Sequence, residues 1–188
     1  MYDSEWDHRI MAAEGGVVAT MSPVTSEMVS KLMPISPLVE TLCMWRNQHR
    51  TRFFDTREIT PESTIDWLRH LTASEDRLFF IVHDLKMRPV AQYGLRCLDQ
   101  DTVELDNGIL GTRDVVPDLY YRLQMRMLEL SHHSLGFKEA RARVLADNVP
   151  ALFLHKRCGL RKIDVLNNYS AGRDVWVMAV DLRDMSFH

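Results

Sequence analysis

The run "VLADNVPALFLHKRCGL", residues 144–160, changes its local grammar twice. Val144, Leu145 and Ala146 read as the end of a strand. Asn148 then opens a helix, since asparagine is a strong N-cap. His155 follows two turns later. Lys156 and Arg157 occupy the last turn, where the helix dipole favours cations, and Gly159 ends it. A strand that passes through a sharp turn into a short, firmly stopped helix is an α/β signature. It leaves an amide side chain at the edge of the sheet and an imidazole facing back over it.

Working outward, "ARARVLA" supplies the strand before this helix, and "KIDVLN" and "VWVMAVDL" supply two strands after it. Upstream, residues 117–135 place Leu119, Leu123, Met127 and Leu130 on one helical face, with Gly136 as a left-handed cap. "VAQYGLRCLD" and "TVELDNGILG" read as a hairpin, and "RLFFIVHD" as a central strand. Ser36-Pro37 and Thr60-Pro61 each pair an N-cap with proline at the first helical position, so helices start there. "VSKLMPIS", residues 29–36, reads as a short strand. Residues 1–28, with "EGG" and "MSPVTS", show no sustained period and are expected to be an arm outside a domain spanning 29–188. The order β-α-α-β-β-β-α-β-α-β-β predicts a mixed sheet with helices on both faces and no internal repeat.

Composition narrows the class. The chain has 188 residues, 46% hydrophobic and 26% charged, with a net charge of −3. That suits one domain with a substantial core and gives no support to general polyanion binding. Cys43, Cys97 and Cys158 are odd in number and widely spaced, which points to reduced thiols and not to a disulfide framework or zinc site. No apolar run reaches the ~20 residues that span a bilayer. A cytoplasmic location without membrane or metal is expected.

These local sequences and their order resemble the GNAT superfamily of acyl-CoA-dependent N-acetyltransferases over residues 29–182. The most specific part is Asn148, Ala151, His155 and Gly159-Leu160, similar to the family run Asn-x-x-Ala-x-x-x-Tyr-x-x-x-Gly-Phe. "WRNQ", residues 45–48, looks like the end of the first helix in the branch that acylates amino sugars and protein N-termini. "ELDNGILG" matches the fourth strand, whose end opens the donor cleft.

The resemblance implies a GNAT-like α/β fold with a mostly antiparallel sheet. It also implies acetyl transfer from acetyl-CoA to a primary amine by direct attack, without an acyl-enzyme. Carried over residue by residue, it places Glu104 as general base, with Asp106 second and lining the acceptor site. His155 would be the acid for the departing thiolate, and Asn148 would sit at the cleft edge. Donor contacts fall to Ile109, Leu110, Gly111, Arg113, Arg122, Asn148 and Lys156, with a backbone N–H near Leu110 polarising the carbonyl. Arg46, Asn47, Arg50 and Phe53, in the basic and aromatic "RNQHRTRFFDTR", would meet the acceptor. The bland counterpart is a capped helix with His155 merely packing, a solvated Glu104, and a loop whose phenylalanines enter the core.

One departure is large. The family's glycine-rich loop before the long helix lets backbone N–H groups close on a pyrophosphate. Here that place reads "TRDVVPDLYYR", residues 112–122, without glycine. Pro117 removes a donor, and Asp114 and Asp118 put negative charge where phosphate would rest. Two further readings therefore stand beside the enzyme. One is a binding or regulatory module without CoA. The other is a nucleic-acid-associated modifier using the arginine cluster with its aromatics. Acyl-CoA and a small amine are the expected partners, with a homodimer allowed.

Overall fold

The computed structural model describes residues 8–32 and 36–187. Within them runs one eight-stranded sheet, in the order β1-β2-β3-β4-β5-β6-β8-β7. The strands are β1 (Arg9–Met11), β2 (Val17–Pro23), β3 (Arg77–Asp84), β4 (Pro89–Cys97), β5 (Thr102–Leu110), β6 (Glu139–Leu145), β7 (Arg161–Ser170) and β8 (Arg173–Asp181). The helices are α1 (Ser26–Ser30), α2 (Pro37–Gln48), α3 (Pro61–Ala73), α4 (Leu119–Glu129) and α5 (Val149–Arg157). Every neighbouring pair is antiparallel except β5 with β6. This is the mixed, mostly antiparallel α/β sheet that the element order predicts.

The capping readings at Ser36, Thr60 and Gly136 hold. Ser36 accepts from the Val39 amide. Thr60 and Ser63 form a reciprocal capping box at the start of α3, satisfying two of the amides a helix start leaves open. Residues 117–135 form α4 and a following π-turn over Leu130–Ser134, and Gly136 closes them at φ 78°.

The N-terminal region corrects the reading of an arm. β1 and β2 pair with each other, and β2 pairs with β3. Ile10, Ala19 and Met21 are fully buried in the main core. Burying one large apolar side chain contributes roughly 1.5–3 kcal/mol, so this hairpin is part of the domain. The strand expected over residues 29–36 is not one: Val29 and Ser30 end α1, and residues 33–35 lie outside the described residues.

Two apolar layers flank the sheet. α4 and α5 cover one face, with Leu119, Leu123, Met127 and Leu152 in that core. α1, α2 and α3 cover the other, with Val39, Trp45, Ile65 and Leu68.

Two irregularities of β5 make a site possible. First, β5 and β6 pair only at Thr102–Glu139, Val103–Ala140 and Glu104–Arg141, although the strands continue to Leu110 and Leu145. A wedge opens between them. Second, β5 carries a bulge: Gly94 pairs with Asp106, but Gln92 pairs with Ile109. Asn107 takes φ 51° there, and Gln92 Nε2 donates to its carbonyl at 3.1 Å. An extra residue inverts the alternation of side chains along a strand. Glu104, Asp106 and Ile109 therefore share the face under α2 and α3, while Leu105, Gly108 and Leu110 share the face under α4 and α5.

Candidate active site

The wedge holds a cleft of about 380 Å³ that reaches through to both faces of the sheet. Its floor is the unpaired length of β5, from Leu105 to Leu110, facing Val144 and Leu145 of β6. On the α4/α5 side it meets Tyr120, Gln124, Asn148, Ala151, Leu154 and His155. On the α2/α3 side it meets His49, Arg52, Phe53, Phe54, Asp106 and Arg143, with Arg113 at the end of β5.

Three buried polar atoms here have no protein partner: Asn148 Oδ1, Gln124 Nε2 and His155 Nδ1. Burying such an atom unpaired costs about 1–3 kcal/mol, and most buried polar groups are paired. Gln124 is 0% exposed, and its Oε1 accepts from Tyr93 Oη at 3.1 Å. That bond fixes the amide so that its free N–H faces the cleft. Asn148 sits at the α5 N-cap with φ −83° and ψ 66° but makes no capping bond. The sequence reading of a side-chain cap is corrected here: the amide is withheld from the helix. Burial alone lowers the His155 pKa to about 4, so the imidazole is neutral near pH 7. A neutral imidazole is a poor acid, which removes the reason for giving His155 the thiolate's proton.

The two carboxylates expected on β5 sit in different surroundings. Glu104 is buried and held by the Nε and Nη2 edge of the Arg143 guanidinium, Nη2 to Oε2 at 3.1 Å, and it does not line the cleft. Asp106 does line the cleft. It accepts from Arg77 Nη1 at 3.0 Å and from the Asn107 amide at 2.8 Å. Desolvation nevertheless outweighs Arg77 and raises its pKa, with Glu104 adding to the rise. Tyr120 supplies the only hydroxyl among the lining residues, and burial pushes its pKa up, keeping it protonated. That hydroxyl crowds the backbone of Gly108, where an added Cβ would lie 2.4 Å from it.

Of the other expected residues, Ile109, Leu110, Arg113 and Phe53 line the cleft. The rest do not. Gly111 packs against Trp45, whose ring a Cβ would strike at 1.9 Å. Arg122 donates to the Met11 carbonyl, and Lys156 lies 5.3 Å from the Trp176 ring. Arg46 stacks on Phe53 at 3.8 Å. Asn47 exchanges two hydrogen bonds with the Ile59 backbone, and Arg50 pairs with Glu58. These last three brace the α2–α3 connection. The remaining residues of that basic and aromatic stretch, His49, Arg52 and Phe54, line the cleft. Gln124 and Tyr120 were missed. Their trace was a glutamine one place from Leu123 on the apolar face of α4.

The loop before α4 is held by ion pairs within the chain. Asp118 occupies the α4 N-cap at φ 61° without a capping bond. Arg157, from the far end of α5, donates to both of its oxygens at 2.7 and 3.1 Å and holds its pKa low. Arg157 also lies 4.1 Å from the Tyr121 ring centroid. Asp114 pairs with Arg88. Negative charge supplied by the chain itself thus occupies the positive end of α4.

No family model matches this chain, and no curated protein matches it by sequence. Solved structures do match. The spermidine N-acetyltransferase from Vibrio cholerae, in complex with CoA and spermine, is 16% identical over 88% of this chain and 96% of its own, with a TM-score of 0.70. Apo FdhC, a nucleotide-linked sugar GNAT, is 14% identical over 94% and 91%, at 0.71. A GCN5-related N-acetyltransferase from Brucella melitensis is 18% identical over 96% and 84%, also at 0.71. With its splayed parallel pair, bulged strand and short following helix, the chain has the GNAT fold, that of the GCN5-related N-acetyltransferases.

Proposed function

We propose that the protein transfers an acyl group, with acetyl-CoA as the expected donor, to the primary amine of a small molecule. The observation that carries this reading is the convergence of Asn148 Oδ1, Gln124 Nε2 and His155 Nδ1 on one cleft with no protein partners. An amide-rich, flexible thioester arm such as pantetheine supplies the complementary donors and acceptors. The unpaired edge of β5 supplies backbone groups beside it.

The amine nitrogen enters from the α2/α3 side and attacks the thioester carbonyl. A carbon–nitrogen bond forms, and the carbon–sulfur bond breaks from the tetrahedral intermediate. A backbone N–H near Leu110 stabilises the oxyanion. Asp106, with its raised pKa, accepts the amine's proton. The sulfur departs as the thiolate, to which Tyr120 donates a hydrogen bond, and His155, neutral, hydrogen-bonds the arm. Holding donor and amine on opposite faces of one gap accounts for direct transfer without a covalent enzyme intermediate.

An amino sugar remains the acceptor we favour, supported by the aromatic and basic rim. The Asp118–Arg157 pair favours a second reading, a module that has given up CoA. The nucleic-acid reading loses its main support, since Arg46, Arg50 and Arg57 of the loop are each engaged by the chain itself. Calorimetric titration with acetyl-CoA, alongside thiol release over a panel of primary amines, separates these readings. Saturable heat and amine-dependent thiol release are expected. No heat at millimolar donor and no release with any amine would leave the module.

A further inference from the structure

A ligand that carries phosphate must find cations other than the α4 N-terminus, which Asp118 and Arg157 already occupy. Around the cleft most guanidiniums are likewise committed: Arg143 to Glu104, Arg77 to Asp106, Arg50 to Glu58 and Arg88 to Asp84 and Asp114. Arg52 and Arg113 are the exceptions. Both line the cleft and both are exposed, and neither has a carboxylate partner among the described residues. They reach it from different elements, Arg52 from the 3-10 turn after α2 and Arg113 from the loop after β5. The His49 imidazole lies between these influences. Burial depresses its pKa most, the charges of Arg52 and Arg113 depress it further, and only the Leu110 carbonyl favours its protonation. Three basic groups therefore line one cleft at the open end of β5, and the nearby carboxylates Asp106 and Asp114 are paired with other arginines, Arg77 and Arg88.

We propose that Arg52, His49 and Arg113 form an anion-binding site at the mouth of the cleft that takes the phosphate or diphosphate group of a substrate, replacing the α4 N-terminus. The proposal rests on the cleft being a substrate site and names where its charged portion is held. Guanidinium groups suit phosphate oxygens because their N–H groups form planar, paired hydrogen bonds. The cations are exposed, so leaving them unpaired in the free protein carries little penalty, and binding should weaken with salt. Two substrates offer this group: the diphosphate of the donor, or a phosphorylated acceptor.

The test is calorimetric titration of inorganic diphosphate into the wild-type chain and into Arg52→Gln, Arg113→Gln and Arg69→Gln variants. Saturable, salt-sensitive binding is expected, weakened about tenfold by each of the first two and unchanged by the third, whose arginine lies on α3 outside the cleft and is paired with Asp66. All three positions are exposed, so melting temperatures should stay constant and serve as the folding control. No diphosphate binding, or equal binding by all variants, overturns the site. Acetyl-CoA and acetyl-pantetheine then identify the source. A loss confined to acetyl-CoA assigns the donor's diphosphate, and one confined to the KM of phosphorylated amines assigns the acceptor's. Equal losses with both donors mean general damage to the cleft and overturn the proposal. Diphosphate binding is read without turnover. A chain that binds diphosphate through these residues but acylates no amine keeps this site while losing the reaction.

Discussion

Two helices begin beside the same gap and have opposite chemistry. At α4 the chain supplies its own anion: Asp118 sits at the start, held in two bonds by Arg157. At α5 the N-cap residue Asn148 keeps its side chain out of the helix and leaves Oδ1 buried without a partner. The dipole argument applies equally to both ends, so the contrast lies in the side chains. Neither start carries a side-chain capping bond; the Asp118 carboxylate is paired with Arg157, whereas Asn148 Oδ1 has no partner in the protein.

The comparison can be broken at its chemical centre. Asp106→Asn should cut kcat by about a hundredfold to a thousandfold while leaving donor affinity nearly unchanged, as steady-state kinetics beside calorimetry would reveal. An unchanged kcat would move the base elsewhere. The α5 side makes a pH prediction. His155 has a folded pKa of about 4, below the unfolded value near 6.5, so the unfolded chain binds the extra proton. Its share of stability is present above pH 6.5 and lost as pH falls toward 4, by on the order of 3 kcal/mol. Urea titrations at pH 7 and pH 4.5 should show that loss in the wild type and a flatter profile in His155→Phe.

Smaller effects sharpen the contrast between the two starts. Asn148→Ala should weaken acetyl-CoA binding about tenfold without lowering the melting temperature, because the acceptor it removes was unpaired. A drop in stability with intact affinity would make Asn148 structural. Asp118→Gly removes the anion and suits φ 61°, which glycine adopts without strain. It should tighten acetyl-CoA about fivefold, as calorimetry would register, and weaker binding would mean that Asp118 is a ligand contact.

How much of this was legible depends on how local each cause is. Ser36-Pro37, Thr60-Pro61 and Gly136 act on their own backbone, so those boundaries were readable. The N-terminal hairpin was not read, although "EGG" between apolar alternating runs is a turn signal. Its strands are short, and their stability comes from pairing with β3, far along the chain. In the cleft, Asn148, Asp106, Leu110 and Arg113 follow from the motif and the strand that carry the resemblance. Tyr120 and Gln124 enter through tertiary packing, which no spacing announces. The pairing of Glu104 was hidden for a similar reason, since its partner Arg143 lies across the sheet on β6.

The kink at Asn107 also restricts how this molecule can vary over time. Adding or deleting one amino acid between positions 104 and 110 would swap the chemical lining of the gap with its apolar backing, exchanging Asp106 for neighbours such as Leu105. Odd changes of length are not tolerable there. Homologues that retain activity should align across this stretch without a gap, however far the rest of their sequences have drifted.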